Sequence, residues 1–235
     1  MAEWGVLTYY CAFTLVLIAY LLGSIPSAVW IGKKYYGIDI REHGSKNAGT
    51  TNMLRVLGKR AAIPVFIIAY FKGFVAVQLT FIMKFDDAVS PAWLINLRLI
   101  ATAAVVLGHI FPIFADFKGG KGVATLLGAG TGIYPPLVLL CFAIWCVVFA
   151  IWHYVSLASM IAGCCYPIFV MVFSTTIYDP AAPFLSVPFI IFSWAVGFML
   201  VWTHRKNIER LRNGTESKIY IWVKPDEEQS KEKRE

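Results

Sequence analysis

The sequence predicts an all-α integral membrane protein with about seven transmembrane helices. Hydrophobic residues make up 58% of the 235-residue chain and charged residues only 15%, against roughly 25% charged in an average soluble domain. The mean hydropathy is +0.66. The apolar runs are long and free of charge, unlike the alternating segments of about ten residues that are typical of membrane β-barrels. This composition excludes a disordered chain, a coiled coil and an ordinary soluble enzyme.

Seven apolar segments qualify as spans, because a helix crosses the hydrocarbon core with about 20 residues. The longest charge-free run, residues 122–178, must be divided. Glycines followed by Pro135 and Pro136 indicate one break, and His153 with Tyr154 indicates a second. The fourth segment is short and need not cross fully. The predicted spans lie near residues 4–23, 60–83, 89–113, 123–134, 136–152, 156–177 and 184–203.

The basic residues predict the orientation. Of the 21 Lys and Arg residues, 18 lie in segments 33–60 and 115–122 and after residue 203. Alternating spans place these segments on one face, which the positive-inside rule makes cytoplasmic. We therefore expect the N-terminus outside, the C-terminus in the cytoplasm, and one domain over residues 1–220 followed by a charged cytoplasmic tail over 221–235. The start of the chain lacks the basic region of a cleaved signal peptide, so the first span should be retained.

Membrane topology also explains the net charge of +7. Basic residues on the cytoplasmic face meet anionic lipid headgroups, so no nucleic-acid partner is expected. The five cysteines lie in apolar segments and show neither a C-x-x-C pair nor zinc spacing. No metal site, disulfide or cofactor is therefore expected.

Three of the predicted cytoplasmic segments have unusual polar residues, and the first is 44–59. Gly44 and Gly49 allow close backbone approach, and residues 50–58 have a helical pattern that places Arg55 near a helix start. Such amides and side chains suit a multi-oxygen anion. The alternative is a solvated loop with a Thr-Asn cap. The candidate ligands are Ser45, Asn47, Gly49, Thr51, Asn52 and Arg55.

The second segment, 115–125, has the composition of a phosphate cradle. Lys118 and Lys121 flank Gly119 and Gly120, and Gly122 opens an apolar helix. Two ammonium groups and the amides of a helix start would converge there. The spacing does not match a Walker A loop. The alternative interpretation makes the lysines simple positive-inside anchors, which would not require the intervening glycines.

The third segment, 203–218, leaves the last span as a basic helix that ends at Gly214. His204 and Asn207 are three residues apart and share one helical face. The alternative is an amphipathic helix that binds lipid headgroups, which accounts for the basic residues but not for this pair. Ser156 and Ser159 likewise share a face at the start of another helix, where packing or backbone bonding is the simpler role.

Together these segments predict a site for a phosphorylated anion on the cytoplasmic side, with apolar helices that admit an acyl chain. A transporter or channel for a phosphorylated anion is the competing interpretation. No inverted repeat and no matching basic site on the outer face support it. A non-catalytic lipid-binding scaffold is disfavoured by the loop glycines.

Five blocks of the sequence resemble the bacterial membrane glycerol-3-phosphate acyltransferase family PlsY, in order and over nearly the whole chain except the tail. They are Gly-Ser-Ile-Pro-Ser (23–27), Gly-Ser-Lys-Asn-Ala-Gly-Thr-Thr-Asn (44–52), Phe-Lys-Gly-Gly-Lys-Gly-Val-Ala-Thr (117–125), Tyr-Val-Ser-Leu-Ala-Ser (154–159) and His-Arg-Lys-Asn-Ile-Glu-Arg-Leu (204–211). The resemblance implies a seven-helix enzyme. It would transfer a fatty acyl group from acyl phosphate to glycerol 3-phosphate, giving lysophosphatidic acid.

The resemblance also implies roles for individual residues. We expect catalytic roles for Lys121, Ser159, His204 and Asn207. Substrate-binding roles are expected for Ser45, Asn47, Gly49, Thr51, Asn52, Arg55, Lys118, Gly119, Gly120 and Gly122. It further implies the bacterial cytoplasmic membrane, a site facing the cytoplasm, and a functional link to the enzyme that makes acyl phosphate.

One departure from the family pattern concerns Lys72. Ala69 stands where an aspartate is usual, so Lys72 must find another partner inside the membrane. Two mechanisms stay open. His204 would act as a general base, or the substrate's own phosphate would take the proton while Lys121, Arg55 and backbone amides neutralise charge. We favour the second, because the sequence places no acid to orient His204.

Overall fold

The computed structural model describes residues 5–85, 89–176 and 186–220, and their regular structure is helical. Three short 3₁₀ segments, Ile40–Glu42, Leu79–Phe85 and Ile113–Ala115, join the longer elements. The α-helices in chain order are α1 (Val6–Gly23), α2 (Ser27–Tyr36), α3 (Thr50–Leu57), α4 (Lys59–Gln78), α5 (Pro91–Ile110), α6 (Val123–Ile133), α7 (Pro135–Trp152), α8 (Val155–Thr176), α9 (Val187–Thr203) and α10 (Arg205–Arg212).

The chain is an integral membrane protein. Within the described residues, five segments are long and apolar enough to cross a membrane, and α9 with α10, bent by 54°, would make a sixth. Helix α6 is apolar but shorter, as the short fourth segment predicted. The five segments are Val6–Tyr36, Lys59–Lys84, Pro91–Ala115, Pro135–Trp152 and Val155–Phe173. The count of seven crossings and the sides of the termini stay predictions, and the tail over 221–235 lies outside the described residues.

Local sequence explains where the helices end. The predicted breaks near Pro135 and His153 are confirmed: α7 begins at Pro135, a favoured first helical position, and His153 follows α7 with φ of 60°. The predicted helix at 50–58 is also confirmed as α3.

Helix α2 was not predicted. It is a ten-residue continuation that starts after Pro26 and ends at Gly37, whose φ is +69°, and its basic last turn resembled a loop.

Helices α4 and α6 approach closely because glycines line their contact. A methyl group on Gly73 would overlap the carbonyl oxygen of Thr125, and one on Gly128 would overlap that of Tyr70. Small residues at such positions let helix backbones approach within a membrane. The contact holds the start of α6, and with it the second glycine-rich loop, against α4.

Lys72 of α4 is buried and bonds to backbone instead of an acid. Its ammonium donates to the carbonyl oxygens of Gly23 and Ile25, the second at 3.1 Å. These carbonyls lie at the end of α1, where the Gly-Ser-Ile-Pro turn exposes them. Carbonyl oxygens at a helix end lack intrahelical partners and favour a cation. The turn therefore supplies the partner that Ala69 does not.

Candidate functional site

A cavity of about 470 Å³ lies among α3–α9. One end, here called the polar end, is built from the loop before α3, the residues that open α6, and His204, Asn207 and Glu216. The remainder, the apolar arm, runs between α6, α7, α8 and α9. A ligand with a polar head and an apolar tail matches this division.

Asn52 shapes the first loop. Its side-chain amide donates to the carbonyls of Ile40 (3.1 Å) and His43 (2.9 Å), and its side-chain oxygen accepts the backbone N–H of Ser45 at 2.8 Å. The residue is 1% exposed, so these bonds replace water for every polar atom of the amide. The turn that carries Ser45 toward the cavity is thereby held to the start of α3.

The second loop is held by the end of α5. The backbone N–H groups of Gly119 and Gly120 donate to the carbonyls of Ile110 and His109, both at 3.1 Å. A side chain on Gly119 would overlap the His109 carbonyl. Because these two amides are already paired, they hold the loop in place. Lys121 follows directly and faces the cavity.

Arg41 joins the first loop to the second. Its guanidinium donates to Asp39 (2.7 Å) and, across the two loops, to the carbonyl of Ala115 (2.9 Å). The pKa of the Asp39 carboxyl is held below its usual range, chiefly by the hydrogen bond from Arg41, against a smaller opposing effect of burial. The pair fixes the distance between the loops that carry Ser45 and Lys121.

Glu216 is the centre of a hydrogen-bond network in the third segment. One carboxylate oxygen accepts from Ser156 (2.9 Å) and Asn207 (2.7 Å), and the other accepts from Arg210 (2.6 Å). Asn207 in turn accepts a hydrogen bond from the ammonium of Lys121. Burial raises the pKa of Glu216, but these three bonds outweigh it and the pKa is lowered. The network therefore sets the position of Asn207 beside Lys121.

His204 and Ser159 face the same cavity from α9 and α8. His204 is 2% exposed, and its Nδ1 lies 2.7 Å from the Leu200 carbonyl. A carbonyl only accepts, so Nδ1 carries the hydrogen, and Nε2 of the neutral ring is an acceptor. Ser159 donates to the Val155 carbonyl (2.8 Å) and accepts from the indole of Trp145 (3.1 Å).

The polar end has an excess of positive charge. Arg55 and Lys121 both line it, and Glu216, already bonded to Arg210, is the only acid among the described lining residues. The buried Nε of Arg55 has no hydrogen-bond partner in the described part of the chain. Burial lowers the pKa of Lys121 to about 8, opposed by Glu216 and reinforced by Arg210 and Arg55. An anion bound here would stabilise the charged form of both half-buried cations.

Eleven of the fourteen residues predicted for the site line the cavity: Ser45, Asn47, Gly49, Thr51, Asn52, Arg55, Lys121, Gly122, Ser159, His204 and Asn207. Lys118, Gly119 and Gly120 do not line it, and Lys118 is exposed.

Sequence reasoning did not assign a site role to Glu216 or Trp145. Glu216 is one acid in a charged segment, and Trp145 lies in an apolar helix. In residues 5–85, 89–176 and 186–220, no group of three or more His, Cys, Asp or Glu could hold a metal ion.

The chain is similar to known proteins over most of its length. The family model for glycerol-3-phosphate acyltransferase matches residues 13–214. A glycerol-3-phosphate acyltransferase of Enterococcus faecalis is 41% identical, covering 87% of this chain and 90% of that protein. One of Chlorobium phaeobacteroides is 36% identical over 88% and 97%.

A solved structure is similar as well. The crystal structure of PlsY, an integral membrane glycerol 3-phosphate acyltransferase, in its glycerol 3-phosphate form is 35% identical with a TM-score of 0.75, covering 89% of this chain and 96% of that chain. A second form, with lysophosphatidic acid, superimposes with a TM-score of 0.72. Membership favours the acyltransferase over the anion transporter that the sequence left open. From the matched residues, the identity and the shared fold, the chain belongs to the PlsY family of integral membrane glycerol-3-phosphate acyltransferases.

Proposed function

We propose that the protein transfers a fatty acyl group from acyl phosphate to the 1-hydroxyl of glycerol 3-phosphate. The products would be lysophosphatidic acid and inorganic phosphate. The acyltransferase class follows from the family, whereas the donor is our proposal.

The observation that carries the proposal is the pair of cations at the polar end. Arg55 and Lys121 face one cavity, and its single described acid is already bonded to Arg210. Two phosphate groups would balance this charge, one on the acceptor and one on the donor. In a CoA thioester the phosphates lie far from the acyl group, so only the acceptor phosphate would meet these two cations. The cavity charge therefore favours acyl phosphate over acyl-CoA.

The proposed reaction needs no covalent intermediate on the protein. The hydroxyl oxygen of glycerol 3-phosphate attacks the acyl carbonyl carbon, and the bond from that carbon to the phosphate oxygen breaks. The hydroxyl proton passes to a phosphate oxygen of the substrates. Phosphate leaves a mixed anhydride readily, so the main requirement is to orient the two substrates and stabilise the developing negative charge.

The residues divide by what they can do in this scheme. Lys121 and Arg55 neutralise phosphate charge, and the loop of Ser45 supplies further hydrogen-bond groups. Asn207, held by Glu216, positions the Lys121 ammonium. His204 is oriented by a backbone carbonyl and lacks the carboxylate that commonly supports a general base. We therefore assign it to accept a hydrogen bond from the acceptor hydroxyl through Nε2.

We also propose that the protein resides in the bacterial cytoplasmic membrane with its site facing the cytoplasm. The segments around residues 41, 115, 121 and 207 contact one another through the bonds described above, which supports a common face. The basic residues of these segments support the cytoplasmic side. Acyl phosphate would come from a separate enzyme that forms this mixed anhydride.

The test is acyl transfer by the purified protein in lipid. Labelled glycerol 3-phosphate would be supplied with palmitoyl phosphate or, separately, with palmitoyl-CoA. Lysophosphatidic acid from the acyl phosphate alone is the expected result. Product from the CoA ester alone would overturn the donor, and uptake of glycerol 3-phosphate into liposomes without acyl product would overturn the reaction.

A further inference from the structure

Four helices that line the apolar arm run from the polar end to a common depth. Along α6, Val123 and Ile133 line the cavity ten residues apart, and along α7, Phe149 and Val138 line it eleven apart. At about 1.5 Å per residue these separations are about 15 and 16 Å.

The other two helices agree with this depth. Ser156 and Tyr166 on α8 are ten residues apart, and His204 and Phe192, at the end of α9 and within it, are twelve apart. The same rise gives about 15 and 18 Å. All four helices thus place the last lining residue at about the same depth, which we call the floor of the arm.

Buried side chains close this floor. Ile133 and Tyr166 line the arm, and behind them Leu137 is 1% exposed and Phe189 is fully buried. The ring of Tyr166 lies edge-on to that of Phe189, with centroids 6.4 Å apart. These residues belong to the main core cluster. Interiors packed in this way yield little when an extra methylene group is forced in.

From these observations we infer that the deep end of the apolar arm limits the length of the acyl chain that the protein accepts. An extended chain advances about 1.25 Å per methylene, the zigzag repeat of C–C bonds of about 1.5 Å. A depth of 15–18 Å therefore holds about 13 to 15 carbons. Chains of 14 carbons fit, whereas chains of 16 exceed the largest depth by about one carbon and chains of 18 by about three. The inference rests on the proposed acyl transfer and names its substrate range.

The lipid around the protein determines how kcat/KM should depend on the length of the acyl chain. The acyl chain reaches the arm from lipid, which is as apolar as the protein side chains. A methylene group that fits therefore adds little to binding, whereas one that meets the floor displaces packed side chains. The profile should be nearly flat up to the limit and then fall steeply.

Two substitutions at the deep end should move the limit in opposite directions. Val138→Phe fills the end of the arm, and Phe192→Ala lengthens it. Each has a control on the same helix that faces outward: Leu139→Phe, where Leu139 is 66% exposed, and Phe198→Ala, where Phe198 is 77% exposed. None of these four residues belongs to the polar end.

The experiment measures kcat/KM in lipid nanodiscs with acyl phosphates of 10 to 18 carbons. Val138→Phe should lower the hexadecanoyl-to-dodecanoyl ratio at least tenfold. Phe192→Ala should raise the octadecanoyl-to-tetradecanoyl ratio at least tenfold. The two controls should keep the wild-type profile within twofold. Unchanged limits in both deep-end variants, or a wild-type profile without a limit, would overturn the inference.

Alkyl phosphates of the same lengths provide a readout that does not depend on transfer. They carry the chain and the phosphate but no acyl group, and their competition with a labelled lysophosphatidic acid reports occupancy of the arm. If acyl phosphate is not a donor but binding shows the limit and its shifts, the proposed donor fails and the chain-length limit stands. If transfer occurs and neither readout shows a limit, only the limit fails.

Discussion

Replacing Glu216 by glutamine tests whether its network holds the third segment in place. Glu216 is 8% exposed, and its carboxylate accepts from Ser156, Asn207 and Arg210. Glutamine preserves the shape but removes the charge and turns one acceptor oxygen into an NH₂ donor. In one orientation of the glutamine amide its NH₂ group faces the donor of Asn207, and in the other it faces the donor of Arg210.

The size of the effect follows from these contacts. Losing a charge-assisted hydrogen bond costs about 1.5–3 kcal/mol, and leaving one member of a fully buried ion pair uncompensated costs about 3–5 kcal/mol. The Arg210 side chain is 30% exposed, so water partly replaces its partner. We therefore expect Glu216→Gln to lower the free energy of unfolding by about 3 kcal/mol at neutral pH.

The effect should depend on pH in a direction set by the lowered pKa of Glu216. The carboxylate's contribution is complete above its ordinary value of 4.5 and is lost as the pH falls through the lower value of the folded state. The difference between wild type and variant should thus be constant from neutral pH down to about 5 and shrink only below 4.5.

The assay is unfolding by denaturant in mixed micelles, followed by tryptophan fluorescence. Glu209→Gln is the matched control, because Glu209 is an exposed glutamate on α10, in the same third segment as Glu216. It removes the same charge without breaking the network. If both variants unfold at the same denaturant concentration, the network does not stabilise the third segment and this reasoning is wrong.

Three further predictions concern catalysis and packing. Lys121→Ala is expected to lower kcat about a thousandfold, since two phosphates lose a charged partner, and His204→Ala only about tenfold to a hundredfold. Equal losses in steady-state assays, with His204→Ala rescued at raised pH, would identify His204 as the base. Because the pKa of Lys121 is about 8, kcat/KM should fall above pH 8, and Lys121→Arg should shift that fall upward; a profile unchanged in Lys121→Arg would assign the fall to another group. Gly128→Ala should lower the free energy of unfolding by about 1–3 kcal/mol, because the methyl group meets the Tyr70 carbonyl. Gly5→Ala, with open space around it, is its control, and equal midpoints in the two variants would contradict the close α4–α6 contact.

The helices were predictable because their cause is local. A charge-free apolar run in lipid must form a helix, since each backbone polar group needs a partner that lipid does not offer. Breaks at Pro135 and His153 were visible for the same reason. Helix α2 was not, because its last turn is basic and its apolar first part continues the run that forms α1. The partner of Lys72 was also hidden, since the Gly23 and Ile25 carbonyls are backbone groups that any residue would carry.

The site could be predicted in part. Polar residues between glycines, such as Ser45 and Asn47, have the composition of a loop that binds an anion, and that made them stand out. The separation of Lys121 from Lys118 was not visible, because adjacent lysines look alike in sequence. Glu216 was missed as a site residue, since one acid in a charged segment resembles a solvated side chain until its three donors are known.

The sequence by itself therefore determined the membrane environment, the helical segments, the family and most of the residues at the polar end. These depend on composition and on local patterns, which can be recognised without knowing the tertiary contacts. Only the tertiary structure decided that Lys121 and not Lys118 lines the cavity, that Glu216 holds Asn207, and how deep the apolar arm runs. Those features arise where helices far apart in the chain meet, and the distances between them depend on packing that no local pattern specifies.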